Sequence, residues 1–286
     1  MKGTILKAIN LTFQDKERLG ANLFFLFSSV YLLFSYGDHS RVKTFALTLA
    51  LTITVVFFKQ LRQPFVWYVF LALFLLDLII NYHTRANHHF MLVYLTMAYI
   101  MYLNTRNIAT FTTNVKWLLF ILLFFASVQK LMSSEFVSGN FYYYMINTGK
   151  FFKPLAPLDQ TVAVVISNNN ALIETLNHQD PNQYGTVSLN NILPNIASIS
   201  KWFAWATIAL EFLAGLLIVR KPEYRFTHII FVILILGISA TRLESGFLGL
   251  LCISGHWLCN NTIIRKIYVV LTVIFTALTI SQLGFY

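Results

Sequence analysis

Residues 115–132 read VKWLLFILLFFASVQKLM, an almost unbroken apolar run that ends close to a lysine. A helix needs about 20 mostly apolar residues to cross a bilayer. A helix that is apolar on every side is buried, either in a large protein core or in a membrane. The run therefore predicts a transmembrane helix whose last turn carries Lys130.

Similar apolar runs follow one another along almost the whole chain, at 21–36, 44–58, 65–82, 89–104, 115–132, 200–219, 226–241, 243–259 and 264–283. They predict a single all-α membrane domain, residues 1–286, with about eight to nine transmembrane helices. The number depends on 226–241 and 243–259. This pair forms either a tight helical hairpin or one span with a re-entrant segment.

The composition excludes several classes of protein. Hydrophobic residues make up 57% of the chain and charged residues 11%, whereas soluble domains carry roughly 25% charged residues. The formal net charge is +10, but the basic residues lie in short clusters between apolar runs. That pattern is typical of membrane-protein loops and not of a nucleic-acid-binding surface. Cys252 and Cys259 lack the spacing of a metal site, so we predict no bound metal.

The apolar pattern breaks at 133–199. Residues 136–153, FVSGNFYYYMINTGKFFK, are aromatic and end with lysines, which predicts a segment in the membrane interface. Residues 154–198 are rich in Asn, Gln, Pro and Ser and predict a long loop. Loops on the N-terminal side carry thirteen Lys and Arg, against seven on the other side. This bias predicts a cytoplasmic N-terminus and an extracytoplasmic 133–199 segment.

Several ionisable side chains fall where lipid or the interface is expected. Asp77 and Glu211 lie near the middle of predicted spans, and Lys130 lies near the outer end of one. An ionisable group within a span costs about 2.5–3.5 kcal/mol on insertion scales, so each is a functional candidate. The loop NYHTRANHHF and the turn ATRLESG bring further candidates to the same outer side, namely His83, Arg85, Asn87, His88, His89, Arg242 and Glu244.

Lys130 allows two interpretations. In a water-poor pocket the charged ammonium is disfavoured, so the amine can lose its proton and act as a general base. A nearby histidine would then stabilise the anion that forms. Alternatively, Lys130 extends to the interface as an anchor, and Asp77 and Glu211 link helices as structural contacts.

Three segments resemble the vitamin K-dependent gamma-carboxylase family. The segment VQKLMSSEFVSGNFYYYM resembles a helix end that carries a lysine pair in that family, and here the pair reads Gln129–Lys130. The segment ANHHFMLVYL is similar to an Asn-Asn-His stretch, with Asn87 and His88 at the matching positions. The segment WATIALEFLAGLLIVRK resembles an acidic-centred helix, with Glu211 at the acidic position.

Together these segments resemble the HTTM superfamily, the membrane domain shared by the carboxylase and by small bacterial proteins such as the sporulation-delaying protein B family. The resemblance implies that Lys130 deprotonates a quinol of the vitamin K or menaquinol type and that His88 assists. It also implies a multi-pass protein of a bacterial inner membrane. The sequence departs from the family in having one lysine instead of a pair, and no counterpart of the family's later helical histidine.

The leading hypothesis is an HTTM-type enzyme, related to the carboxylase, that acts at the extracytoplasmic face. Its substrate would be a lipid-soluble quinol, a secreted peptide or both, and membrane lipids would surround it. A first alternative is a non-enzymatic accessory protein that presents or protects an exported peptide. A second alternative is a proton-coupled transporter with a relay through Asp77 and Glu211.

Overall fold

A computed structural model describes residues 15–34, 41–56, 63–84, 87–152, 159–180, 182 and 186–281. Every regular element within these ranges is helical. In chain order the α-helices are Lys16–Phe34 (α1), Arg41–Val56 (α2), Pro64–Ile80 (α3), Asn87–Thr105 (α4), Ile108–Met132 (α5), Ser134–Val137 (α6), Asn140–Asn147 (α7), Gln160–Asn177 (α8), Ile196–Arg220 (α9), Arg225–Thr241 (α10), Ser245–Leu258 (α11) and Thr262–Ile280 (α12). A short 3-10 helix, Tyr82–Thr84, follows α3.

Each predicted apolar run lies largely within one of these helices, which confirms the all-α class. Among the helices that the structure describes, three, α5, α9 and α12, are long and apolar enough to cross a membrane. At 1.5 Å per residue, the 25 residues of α5 extend over about 37 Å, more than the roughly 30 Å of a hydrocarbon core. These helices indicate a membrane protein.

The ambiguous stretch 226–259 forms two helices. Arg225–Thr241 and Ser245–Leu258 are separated by the three residues 242–244. Helix α11 has 14 residues, and all of them except Phe247 are buried. A helix this short extends over about 21 Å, so α11 is an interior helix that the protein itself surrounds.

The chain divides into two compact units, each described by itself. Unit 1 comprises Met1–Leu122, Ala214–Ser239 and Leu243–Tyr286, and unit 2 comprises Leu123–Leu213 and Ala240–Arg242. In unit 1, helix α11 packs against α12, α1 and α4, and α3 packs against α4.

Aromatic rings fill the core of unit 1. Phe24 stacks on Trp67 with ring centroids 4.7 Å apart, and Trp67 meets Tyr99 at 4.6 Å. Phe111 meets Trp257 edge-on at 5.0 Å. Such pairs add about 0.5–1.5 kcal/mol each beyond the area that they bury.

The described part of the aromatic segment, residues 136–152, forms short helices in unit 2 and no long span. The rings of Phe136, Tyr142 and Phe151 pack together with Ile196 and Ile208 of α9. The turn between α6 and α7 depends on Gly139, which has φ +88° and whose added Cβ would lie 2.7 Å from the Lys201 backbone. Only glycine tolerates both constraints. The position of this segment in the membrane interface stays a prediction.

The expectation of a structureless loop over 154–198 is wrong for Gln160–Asn177, which is an 18-residue helix. Asp159 caps this helix by accepting from the Thr161 and Val162 amides. Two asparagine side chains then hold the surrounding backbone. Asn169, fully buried, donates to the Asn147 and Asn190 carbonyls at 2.9 Å each, and Asn147 Oδ1 accepts from the Ile192 amide at 3.0 Å. Asn169, a polar residue of the predicted loop, is therefore an interior contact, whereas most of this helix is exposed.

Close packing between α11 and α1 generates a stability prediction. A Cβ added at Gly249 would lie 2.2 Å from a ring carbon of Phe27, whose side chain is fully buried. We expect Gly249→Ala to lower the free energy of unfolding by about 1–3 kcal/mol, because the ring has no room to move. Gly237→Ala is the matched control, since its Cβ meets nothing within 4 Å. Equal unfolding temperatures for the two variants in detergent would contradict this packing.

Candidate functional site

Lys130 and Glu211 meet inside unit 2. Lys130 lies in the last turn of α5, and Glu211 lies in α9, 81 residues later. The Lys130 Nζ donates to Glu211 Oε1 at 2.8 Å and to Oε2 at 2.6 Å. The two side chains are 24% and 7% exposed. Short, charge-assisted contacts of this kind are the strong ones.

The contact with Glu211 has two consequences for Lys130, one for the packing of the helices and one for proton transfer. It links α5 to α9, as in the alternative that treated Glu211 as a helix-linking residue. It also places a proton acceptor directly on the ammonium group, so a proton can pass from nitrogen to oxygen within the pair. The ammonium lies 5.6 Å from the centroid of the Phe136 ring, which adds a cation–π attraction.

Tyr142 of α7 is a neighbour of the ion pair that sequence reasoning missed. Its hydroxyl lies 2.6 Å from Thr207 Oγ1, and Thr207 donates its own proton to the Phe203 carbonyl at 2.8 Å. Tyr142 is therefore the donor in the first contact. Burial raises the pKa of Tyr142, more than the Thr207 hydrogen bond lowers it, and the Glu211 charge acts in the same direction as burial. Tyr142 is thus held as a neutral donor beside the pair.

A second polar cluster lies in unit 1, where α3 ends and α4 begins. His89, fully buried, places Nε2 3.0 Å from the Phe74 carbonyl and Nδ1 3.8 Å from Asp77 Oδ2. Asn81 donates to Asp77 Oδ1 at 3.0 Å. Because a carbonyl only accepts, Nε2 of His89 carries a proton in this contact. The expectation that Asp77 lies near the middle of its span is wrong, since Asp77 falls in the last turn of α3.

His88 lies against α1 and α11 in the same unit. Its ring meets Tyr31 edge-on at 5.6 Å. A Cβ added at Gly246 would approach His88 Nε2 to 2.9 Å, and this nitrogen is buried without a hydrogen-bond partner. Gly246 therefore provides the space that the imidazole occupies.

The remaining predicted site residues have simpler surroundings. Gln129, Asn87 and His83 are exposed, and His83 meets the Tyr82 ring at 5.5 Å. Arg242 and Glu244 lie in the turn between α10 and α11, as predicted. Arg85 lies outside the described residues.

The predicted residues thus form two groups. Lys130, Glu211 and Arg242 belong to unit 2, where Glu211 and Arg242 both act electrostatically on Tyr142. Asp77, His88 and His89 belong to unit 1. The partnership of His88 with Lys130 stays a prediction. Sequence reasoning placed Tyr142 in the membrane interface, within an aromatic segment that ends with lysines, and no local signal marks Thr207.

Within the described ranges, no three His, Cys, Asp or Glu side chains lie close enough to hold a metal ion. Comparison of the chain with protein-family models, curated proteins and solved structures gave no significant match.

The ion pair generates a double-mutant prediction. We expect Lys130→Met and Glu211→Gln each to lower the free energy of unfolding by about 2–3 kcal/mol, slightly less than for a fully buried pair because Lys130 is partly exposed. The double variant should lose less than the sum, with a coupling energy of about 0.5–3 kcal/mol in an SDS titration. The exposed pair Glu174–His178, with side chains 70% and 76% exposed, is the control and should couple by less than about 1 kcal/mol. Additive losses at Lys130 and Glu211 would mean that the pair contributes nothing.

Proposed function

We propose that the chain is a multi-pass membrane enzyme of the HTTM type that acts at the extracytoplasmic face of a bacterial inner membrane. Its general base is Lys130, and Glu211 is the partner of that base. The observation that carries this proposal is the direct contact of the Lys130 ammonium with both Glu211 oxygens, inside two helices that are long enough to cross a membrane.

Eight to nine spans with a cytoplasmic N-terminus suit the arrangement of unit 1. The start of α1, the turn after α9 and the turn before α12 lie at one end, because Lys16 contacts Asn260 and His228 contacts both Pro222 and Tyr268. Basic residues concentrate in these segments, as expected for the cytoplasmic side. Asp77, His88 and Ser245 lie at the helix ends that face the other way.

The proposed chemistry begins with a proton transfer inside the pair. The Lys130 ammonium gives a proton to Glu211, which leaves a neutral amine beside a neutral carboxylic acid. The amine then accepts the proton of a quinol hydroxyl, which leaves a quinolate next to the re-formed ammonium. The first step removes the ion pair and the second forms a new ion pair in direct contact, so no isolated charge arises where water is scarce.

A non-enzymatic accessory role for a secreted peptide is the second candidate. The observation in its favour is that the Lys130–Glu211 pair satisfies both charges without a substrate. In that case the pair fixes α5 against α9, and the asparagine contacts of unit 2 hold a rigid surface for the peptide.

The two candidates differ in their response to Lys130→Arg. Arginine preserves the positive charge and can still pair with Glu211, but its guanidinium does not release a proton at workable pH. We therefore expect normal expression and thermal stability, with activity as low as in Lys130→Ala. The direct measurement is the absorbance of anaerobic menaquinol added to purified protein, because a quinolate absorbs at longer wavelength than a quinol. Wild type should show the quinolate band and Lys130→Arg should not.

Lys116→Arg, a substitution in the same helix about four turns from Lys130, is the control and should leave the band unchanged. A quinolate band of wild-type size in Lys130→Arg would reject the base and favour the accessory role.

A further inference from the structure

A separate cluster of cations lies in unit 1, where α1 and α12 begin. Lys16, the first residue of α1, donates from Nζ to Asn260 Oδ1 at 3.0 Å. Asn260 lies in the turn just before α12, and Arg265 lies in the first turn of that helix. Lys16 and Arg265 are close enough for their positive charges to act on each other. Two cations therefore share one small region.

Arg265 is buried and has few partners. It is 9% exposed, whereas the next residue, Lys266, is exposed. A guanidinium carries five N–H donors. The described contact is one donation from Nη2 to Thr262 Oγ1 at 3.5 Å, the upper limit for a hydrogen bond, and Nε is buried without a partner. Within the part of the chain that the structure describes, most of the hydrogen-bonding capacity of this side chain is unused.

The nearby carboxylates do not neutralise these cations directly. Among the described residues, neither Lys16 nor Arg265 has a carboxylate within salt-bridge distance. Glu17 and Glu223 act on Lys16 only at longer range, and Glu17 accepts from the Tyr102 hydroxyl at 2.6 Å. A buried cation without a partner is costly, and it is retained where an anion completes the site.

The position of the cluster indicates which anion fits. Arg265 lies in the first turn of α12, one of the helices long and apolar enough to cross a membrane. The end of such a helix lies at the depth of lipid headgroups, and basic pockets between transmembrane helices bind acidic headgroups. An arginine whose only role is to add positive charge on the cytoplasmic side would be exposed to water, as Lys266 is. A planar guanidinium also matches the geometry of a phosphate group.

We infer that Arg265 and Lys16, with the Thr262 hydroxyl at the rim, bind a phosphate group, and that an acidic phospholipid headgroup supplies it. This site is independent of the Lys130–Glu211 pair and does not depend on the proposed enzymatic function.

The test uses the full-length protein in a neutral detergent, with thermal unfolding and native mass spectrometry as readouts. The probes are phosphatidylglycerol, phosphatidylcholine and inorganic phosphate. Phosphatidylglycerol should raise the unfolding temperature of wild type and of the matched control Lys266→Gln, and phosphatidylcholine should not. In Arg265→Gln the gain should disappear, with an apparent affinity for phosphatidylglycerol at least tenfold weaker. A gain with inorganic phosphate alone would retain the phosphate site and assign it to a free anion.

The stability of Arg265→Gln without lipid distinguishes phosphate binding from a purely structural role of Arg265. Without any anion, Arg265→Gln should unfold at a temperature no lower than wild type, because it removes an unpaired buried charge. Should Arg265→Gln not fold, Lys16→Gln leaves Arg265 in place and should still weaken phosphatidylglycerol binding severalfold. The inference is overturned if phosphatidylglycerol and inorganic phosphate stabilise wild type no more than phosphatidylcholine does. Unchanged binding in both Arg265→Gln and Lys16→Gln would overturn it as well.

Discussion

The contact between the Lys130 ammonium and the Glu211 carboxylate places the strongest constraint on unit 2. Both groups lie in helices that are otherwise almost wholly apolar. An unpaired charge costs about 2.5–3.5 kcal/mol at the centre of a span, and less near a helix end such as that of Lys130. Together, at 2.6 and 2.8 Å, Lys130 and Glu211 offset most of that cost. The contact fixes the rotation of α5 relative to α9, because only one face of each helix carries the partner. The aromatic side chains of α7 then pack against a surface that the ion pair has set.

Lys130 and Arg265 differ in how fully their positive charges are paired. Lys130 has a full partner in Glu211, whereas Arg265 has one long hydrogen bond and an unpaired Nε. A satisfied pair needs no ligand to be stable, so its chemistry depends on a proton moving within it. An unsatisfied cation points instead to an anion from outside the protein. The first arrangement suits a base whose charge is neutralised between turnovers, and the second suits a resident lipid.

Much of the fold could be predicted from the apolar runs, since every run lies largely within a helix. Helix α8 was missed because SNNNALIETLN is rich in residues that favour loops, and only tertiary contacts show that Asn169 is an interior residue. The pairing of Lys130 with Glu211 joins residues 81 positions apart, a distance that periodicity does not bridge. Asp77 was expected near the middle of its span, whereas it lies in the last turn of α3, which ends at Ile80. The polarity of this segment predicts its general exposure but not its helical structure, nor the burial of Asn169.

The most direct measurement of the Lys130–Glu211 pairing exchanges the two charges. The single reversals Lys130→Glu and Glu211→Lys each place two like charges in contact, and both should lower the unfolding temperature sharply in detergent. The double exchange, Lys130→Glu with Glu211→Lys, restores opposite charges across the same two helices and should recover most of the wild-type unfolding temperature. A double exchange that is no more stable than the worse single reversal would show that the two side chains do not form the pair on which the proposed base depends.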